Sequence, residues 1–228
     1  MLGEVDRVSY RLPNSIIAAR VVLAFAASAL LVQGSPLAAA VAVVLTLIAI
    51  GMDALDGIVA RRLGLSSTLG GILDITADRV VEHVYWITFA VVQRVPLWVP
   101  LVIVTRSVLV DAVRGLALVQ GRTAFGESTM ARSPLTRFLT ASRAMRSAYG
   151  VAKVAAFVLL GTLVALGASQ AGEAVTPTRA VAVLEGAATV AVLAAVAICV
   201  ARGIPVILDG AAYLDPEGGR TARSIPPA

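Results

Sequence analysis

The sequence has very little charge for its length. Of its 228 residues, 14% are charged and 58% are hydrophobic, and the mean hydropathy is +0.89. Soluble domains average about 25% charged and about 45–50% apolar residues. Residues 21–52 contain no charged side chain, and several runs reach the roughly 20 apolar residues that cross a bilayer. This composition excludes a soluble globular enzyme and a disordered chain, and it indicates a polytopic membrane protein.

Cysteine and histidine are almost absent. The single cysteine, Cys199, excludes an intramolecular disulfide and a cysteine-based zinc cluster, and its apolar surroundings are typical of a small core residue. The single histidine, His83, argues against a multi-histidine metal site. Neither residue type can supply a metal centre of its own.

Long hydrophobic runs, by contrast, are plentiful, and turn signals at 34–36 and 94–96 interrupt them. The pattern predicts an all-α integral membrane protein with six transmembrane helices and a cytoplasm-facing polar cavity. Residues 1–203 would form one domain that begins with an interfacial segment (1–13), and 204–228 would form a cytoplasmic tail with a disordered end. The predicted spans are Asn14–Val32, Pro36–Arg61, Gly70–Val92, Leu97–Gln120, Ser142–Ala168 and Thr178–Ala201.

The placement of basic residues predicts the orientation. The net charge of +5 comes from 18 arginines and one lysine. With a cytoplasmic N-terminus, twelve basic residues fall at inner helix ends or inner loops, and only Arg94 and Arg179 fall outside. By the positive-inside rule both termini are cytoplasmic. The excess charge suits anionic membrane lipids, and no nucleic-acid partner is expected.

Half of the eight aspartates lie in one short window, where the second and third spans meet. Asp53 and Asp56 are three residues apart, and Asp74 and Asp78 are four apart, so each pair projects from one face of its helix. Because the link 63–69 is short, the two helices should run antiparallel as neighbours. All four carboxylates can then converge near the cytoplasmic surface, where intramembrane acids mark a functional site.

Four clustered carboxylates need compensation by protonation, by arginine or by metal. Two divalent cations would cancel the four charges, and all-oxygen ligands favour Mg²⁺ or Mn²⁺. A pair of metals about 4 Å apart suits in-line phosphoryl displacement. The alternative is a structural set of helix-end acids paired with Arg61, Arg62 and Arg79.

Residues 53–78 read Asp-x2-Asp-Gly-x2-Ala-Arg-x8-Gly-x3-Asp-x3-Asp. The chain thereby resembles the CDP-alcohol phosphotransferases at every fixed position of their signature. The resemblance extends to the six-span layout and to the opening from Asn14 to Arg20. It implies a six-helix membrane enzyme, a homodimer, that binds two Mg²⁺ or Mn²⁺ ions, a CDP-linked donor and an alcohol acceptor.

The resemblance also assigns roles to residues. Asp53, Asp56 and Asp74 would be metal ligands, and Asp78 would be both a ligand and the general base that deprotonates the acceptor hydroxyl. The side chain of Arg61, one turn beyond the acids, can also bind phosphate oxygens bidentately. The positions implied to contact the CDP donor are Asn14, Gly57, Arg61, Ser67 and Gly70.

The acceptor is predicted from basic residues later in the chain. Arg106-x7-Arg114 and the basic stretch 142–147 resemble a region of phosphatidylglycerophosphate synthases, although Ser107 stands where those enzymes have glutamate. Several arginines and a lysine suit a phosphorylated acceptor, with glycerol 3-phosphate leading. Inositol 1-phosphate, serine or another alcohol stay open. The residues assigned to acceptor binding are Arg106, Arg114, Arg143, Arg146 and Lys153.

These observations predict an enzyme of phospholipid biosynthesis that transfers a phosphatidyl group from CDP-diacylglycerol to an alcohol and releases CMP. A transporter using the acids as a relay should show acids spread across the membrane depth, whereas these cluster at one end. A metal-binding structural protein without turnover would have no use for Asp78 as a base. Binding of cytidine nucleotides would separate the enzyme from both.

Three residues outside these motifs carry separate predictions. Glu82 continues the acidic stripe by one turn, where pairing with an arginine is favoured over contact with an acceptor hydroxyl. Trp86 and Trp98 fall near the outer ends of the third and fourth spans, as interfacial aromatic residues do.

Overall fold

The computed structural model describes the backbone of residues 2–63, 68–119, 138–140, 142–167 and 178–211, and most of the side chains within them. These residues form helices and turns, and the described ranges contain no strand. The all-α prediction is therefore confirmed. The long helices are α1 (Leu2–Val32), α2 (Pro36–Leu63), α3 (Thr68–Val91), α4 (Trp98–Val119), α5 (Arg143–Ala165) and α6 (Arg179–Ala211).

The turn between α1 and α2 shows why these helices end and begin where they do. Gly34 has a φ of +75°, the left-handed conformation that commonly ends a helix. Ser35 then caps α2, since its hydroxyl accepts a hydrogen bond from the amide of Ala38 at 3.1 Å. Pro36 occupies the first helical position, where its missing N–H is not needed. The predicted turn at 34–36 is thus confirmed.

Four of the helices are long and apolar enough to cross a membrane: α1, α2, α5 and α6. Large apolar side chains are exposed on their outer faces, with Leu37 at 77%, Val151 at 69% and Val190 at 68%. In water such surfaces would be unfavourable, whereas lipid tails accommodate them. Helices α3 and α4 match the lengths of the other predicted spans but contain the charged residues of the sequence motifs.

Helix α6 ends ten residues later than predicted, at Ala211 rather than Ala201, so residues 204–211 belong to a helix and not to a tail. The helix continues through Pro205, although an interior proline removes one backbone donor and crowds the carbonyl four residues earlier. Val206 explains the extension, because it is buried in an apolar cluster with Val110 and Val113 of α4. Residues 212–228 lie outside the described part of the chain.

The chain forms two compact units, Met1–Pro100 with Val154–Val190, and Leu101–Lys153 with Ala191–Ala228. In the first unit, α1 packs against both α2 and α3. Helix α5 approaches α2 closely at Gly161, where an added Cβ would lie 2.8 Å from a methyl group of Val43. This contact requires a glycine, because the Val43 side chain is stiff.

An aromatic cluster joins α3 to α5 within the first unit. The ring of Phe157 lies 4.9 Å from that of Tyr85 and 5.0 Å from that of Trp86, centroid to centroid. Trp86 is fully buried because α5 covers it, so its predicted place at the membrane interface is wrong. The other tryptophan with this prediction, Trp98, is 46% exposed. Buried aromatic pairs of this geometry add about 0.5–1.5 kcal/mol beyond the area that they bury.

Candidate functional site

A buried hydrogen bond sets the register of α2 against α3. The hydroxyls of Thr46 and Tyr85 lie 2.8 Å apart. Thr46 precedes Asp53 by seven residues, and Tyr85 follows Asp78 by seven. In an antiparallel pair of helices, the register that brings Thr46 to Tyr85 therefore brings Asp53 to Asp78, about 10 Å further along at 1.5 Å per residue.

The carboxylates meet as this register requires. One oxygen from each of Asp53, Asp74 and Asp78 lies within 4.8 Å of the others. The three side chains are 46–50% exposed, so the cluster is open on one side. The convergence predicted from spacing and a short link is thus observed for the three acids whose side chains are described.

Arg20 of α1 contacts all three carboxylates, a role that the sequence analysis did not assign to it. Its Nη1 donates a hydrogen bond to Asp53, and its Nη2 donates to Asp74 at 3.2 Å and to Asp78 at 2.8 Å. Arg20 is only 2% exposed and so approaches the carboxylates from the protein interior. One sequence signal pointed to it, since Arg20 is the single charged residue between positions 15 and 52.

The alternative to metal binding is that the aspartates pair with Arg61, Arg62 and Arg79. The side chains of Arg61 and Arg62 lie outside the described residues. Arg79 Nη1 lies 3.8 Å from a carboxylate oxygen of Glu82, which is 2% exposed. The predicted pairing of Glu82 with an arginine is confirmed, and among the described residues it is Arg20 that binds the three aspartates.

Several residues implied by the signature fall where side chains are not described. Asn14 lies on α1, and Asp56, Gly57 and Arg61 lie on α2, with side chains outside the described residues; Ser67 lies outside them altogether. Gly70 is partly buried in the first turn of α3. The roles of these positions stay predictions.

The three described carboxylates fit a hard divalent cation. Each can supply an oxygen, and Mg²⁺ and Mn²⁺ prefer carboxylate oxygens over nitrogen or sulfur. Their half-exposed side chains are accessible to a metal ion from one side. Among the described contacts of these three carboxylates, the guanidinium of Arg20 supplies one positive charge against three negative ones.

The second unit contains a group of cations around a buried tyrosine. Lys153 Nζ of α5 lies 5.6 Å from the ring centroid of Tyr149, and the Arg202 guanidinium of α6 lies 5.8 Å from it. Cations at such distances from an aromatic ring are attracted by its negative face. The sequence predicts that Lys153 binds the acceptor, whereas for Arg202 it predicts only a place at the inner end of the sixth span.

Arg106 of α4 lies directly over Gly203 of α6 in the same unit. A Cβ added at Gly203 would stand 2.6 Å from both Cγ and Nε of Arg106. Only glycine allows this approach without moving the arginine. Arg114 is partly buried, whereas Arg143 and Arg146 are exposed in the first turn of α5. Ser142 caps this helix, since its hydroxyl accepts a hydrogen bond from the Met145 amide at 3.1 Å.

A separate, partly buried cation lies in the turn between α3 and α4. Arg94 Nη2 donates a hydrogen bond of 3.5 Å to the carbonyl of Leu163. Burial lowers the pKa of the Arg94 guanidinium, and the negative charge of Glu185 opposes that shift. The charge of Glu185 therefore compensates that of Arg94, which lies beyond the end of α3 that is remote from the aspartates. This position indicates a structural role for Glu185.

Comparison with known families agrees with this geometry. The sequence model of the CDP-alcohol phosphatidyltransferase family matches residues 10–209. Its members are metal-dependent transferases of phospholipid biosynthesis that use CDP-alcohol substrates at membranes. The match spans most of the 228 residues and includes the acids, and it confirms the predicted family. The chain is a member of the CDP-alcohol phosphatidyltransferase family and an integral membrane enzyme.

Proposed function

We propose that this CDP-alcohol phosphatidyltransferase uses CDP-diacylglycerol as its donor and glycerol 3-phosphate as its acceptor. The acceptor hydroxyl oxygen attacks the phosphorus that carries the diacylglycerol. A new P–O bond forms there, the bond to the phosphate of CMP breaks, and CMP leaves. The observation that carries this proposal is the convergence of Asp53, Asp74 and Asp78 on one open cluster.

Asp53, Asp56, Asp74 and Asp78 would hold the metal ions. Divalent cations bound there would neutralise the diphosphate of the donor and the charge that develops on its leaving group. The carboxylates supply the negative charge that retains the cations, and α2 and α3 fix their positions through the Thr46–Tyr85 hydrogen bond.

Asp78 is the proposed general base. It is about half exposed, so an acceptor hydroxyl can reach it from the open side of the cluster. Arg20 donates a hydrogen bond to one oxygen of Asp78 at 2.8 Å, and each carboxylate has a second oxygen that can accept a proton. The proton of the attacking hydroxyl passes to Asp78 as the new P–O bond forms.

The donor would be bound by residues of the signature. Arg61 would hold the diphosphate through its guanidinium fork, and Gly57 would let it approach α2 closely. Ser67, Gly70 and Asn14 would contact the remainder of the CDP group. The diacylglycerol tails would stay in the lipid while the headgroup enters the cavity.

An anionic acceptor is supported by the cations of the second unit. Lys153 and Arg202 lie near the ring of Tyr149, and the side chain of Arg106 lies directly over Gly203. The planar fork of a guanidinium is preorganised, so it loses little entropy for each hydrogen bond that it makes to a phosphate group. Arg114, Arg143 and Arg146 would add to the positive field that attracts a phosphorylated alcohol.

The proposed membrane arrangement follows the arginine bias. All six helices would span the bilayer, with both termini and the acidic cluster on the cytoplasmic side. The charged residues within the spans would then face away from lipid. The functional enzyme would be a homodimer, as the family resemblance implies.

The direct test is CMP release from CDP-diacylglycerol by purified protein in detergent with Mg²⁺. Glycerol 3-phosphate, inositol 1-phosphate, inositol and serine would each be supplied as acceptor, beside a sample with none. We expect release that depends on glycerol 3-phosphate. Release with another acceptor would change the identity of the acceptor and leave the proposed reaction in place. Release without any acceptor would indicate hydrolysis. If no CMP forms and no cytidine nucleotide binds, the proposal fails.

Replacing Gly203 by alanine should impair acceptor use. The added methyl group displaces Arg106, and misplacement of a binding group by about 1 Å can cost up to about 100-fold in rate. We expect kcat/KM for the acceptor to fall about 10- to 100-fold, measured by CMP release at varied acceptor concentration. Gly186→Ala on the same helix is the control, because its added Cβ meets no atom within 4 Å. Equal values for the two variants would contradict a role for the position of Arg106.

A further inference from the structure

We propose that Arg20 is a positioning residue that orients the metal-binding carboxylates from the buried side of the cluster. The proposal rests on the metal site proposed above. Arg20 belongs to α1, whereas the aspartates belong to α2 and α3. Arg20 would act through these ligands and would not contact the substrate.

The contacts of Arg20 show how it can act. One guanidinium donates to an oxygen of Asp53, of Asp74 and of Asp78, and so joins two helices that carry the ligands to a third helix. Each carboxylate has two oxygens, and a hydrogen bond to one of them restricts how the other can turn. The planar guanidinium suits such simultaneous contacts better than a single ammonium group.

The burial of Arg20 and the charges of the three carboxylates indicate that Arg20 orients these side chains and does not only neutralise them. Arg20 is 2% exposed, whereas the carboxylates are 46–50% exposed, so the guanidinium lies beneath the cluster and leaves its outer side open. Three carboxylates with oxygens within 4.8 Å repel one another, and half-exposed side chains could turn outward to water. Arg20 holds them together, which prepares the oxygens for a divalent cation. Partners of metal ligands that act in this way typically contribute about 10- to 100-fold in metal affinity.

Two effects of removing Arg20 have opposite signs, and this makes the proposal testable. Loss of a nearby positive charge by itself would tighten the binding of a divalent cation. Loss of orientation would weaken it. We propose that orientation dominates, so that both Arg20→Gln, which removes the charge, and Arg20→Lys, which keeps it, weaken metal binding.

The experiment measures binding of Mn²⁺ to the full-length protein in detergent by electron paramagnetic resonance, without substrate or turnover. We expect the dissociation constant to rise about 10- to 100-fold in Arg20→Gln and by a smaller factor in Arg20→Lys. Arg94→Gln is the matched control. It removes another partly buried arginine, which lies beyond the end of α3 at Val91 and so beyond a point about 20 Å along the helix from Asp78, and it should leave Mn²⁺ binding unchanged.

The outcomes separate this inference from the proposed function. If Arg20→Gln does not fold, the comparison of Arg20→Lys with the wild type still decides the question. Unchanged or tighter Mn²⁺ binding in the folded Arg20 variants would overturn the positioning role. If the wild type itself binds no Mn²⁺, then the metal site of the proposed function fails first.

Discussion

Asp78→Asn should release CMP from CDP-diacylglycerol about 10²–10⁴-fold more slowly than the wild type, the usual contribution of a general base. The amide keeps the size of the side chain and an oxygen atom, but it cannot take the proton of the acceptor hydroxyl. Asp78 is about half exposed on the open side of the cluster, where that hydroxyl would arrive. The measurement is kcat at saturating glycerol 3-phosphate and Mg²⁺, so that weakened binding does not account for the loss.

Asp111→Asn provides the matched control for this substitution. Asp111 is an exposed aspartate of α4 that has no place in the proposed chemistry, and the change in charge is the same. We expect near wild-type kcat for this variant. The base assignment would be contradicted by an Asp78→Asn enzyme that retains more than half of the wild-type kcat.

The acidic cluster could be predicted because local rules determine it. Spacings of three and four residues put each pair of aspartates on one helix face, and the short link forces α2 and α3 to be antiparallel neighbours. The Thr46–Tyr85 hydrogen bond shows that the structure adopts the corresponding register. The family signature added the roles of the residues, which spacing alone does not provide.

The contact of Arg20 with the cluster could not be predicted in the same way. Arg20 precedes Asp53 by 33 residues and Asp78 by 58. Its reach depends on α1 packing against both α2 and α3, and hydrophobic periodicity does not specify which helices pack together. A lone arginine in an apolar span does indicate a buried partner, because an uncompensated charge there is costly.

Two other differences between the sequence-based predictions and the structure also arise from tertiary packing. Arg202, Gly203 and Pro205 resemble a helix terminus in sequence, but burial of Val206 against α4 keeps α6 helical to Ala211. Trp86 resembles an interfacial tryptophan, but Phe157 of α5 packs against it. In each case a contact with another helix overrides a local signal.

Removing divalent cations should abolish turnover, because Arg20 alone cannot compensate the charges that meet at this site. Three described carboxylates carry three negative charges against the one positive charge of Arg20, and the diphosphate of the donor adds more negative charge. Without further cations the donor would be repelled and its leaving group would remain unstabilised. Stabilisation by metal is worth several kcal/mol, which corresponds to at least about 10³-fold in rate.

The expected result is loss of CMP release in excess EDTA and its recovery when Mg²⁺ or Mn²⁺ is added back. Asp53→Asn and Asp74→Asn should each raise the Mg²⁺ concentration needed for half-maximal rate, because each removes a negative charge from the cluster that attracts the cation. Asp111→Asn should leave that concentration unchanged, since Asp111 is not one of the carboxylates that form this cluster among the described residues. Turnover that persists in EDTA would contradict metal dependence, and the compensation of these carboxylates would then have to come from cationic side chains of the protein.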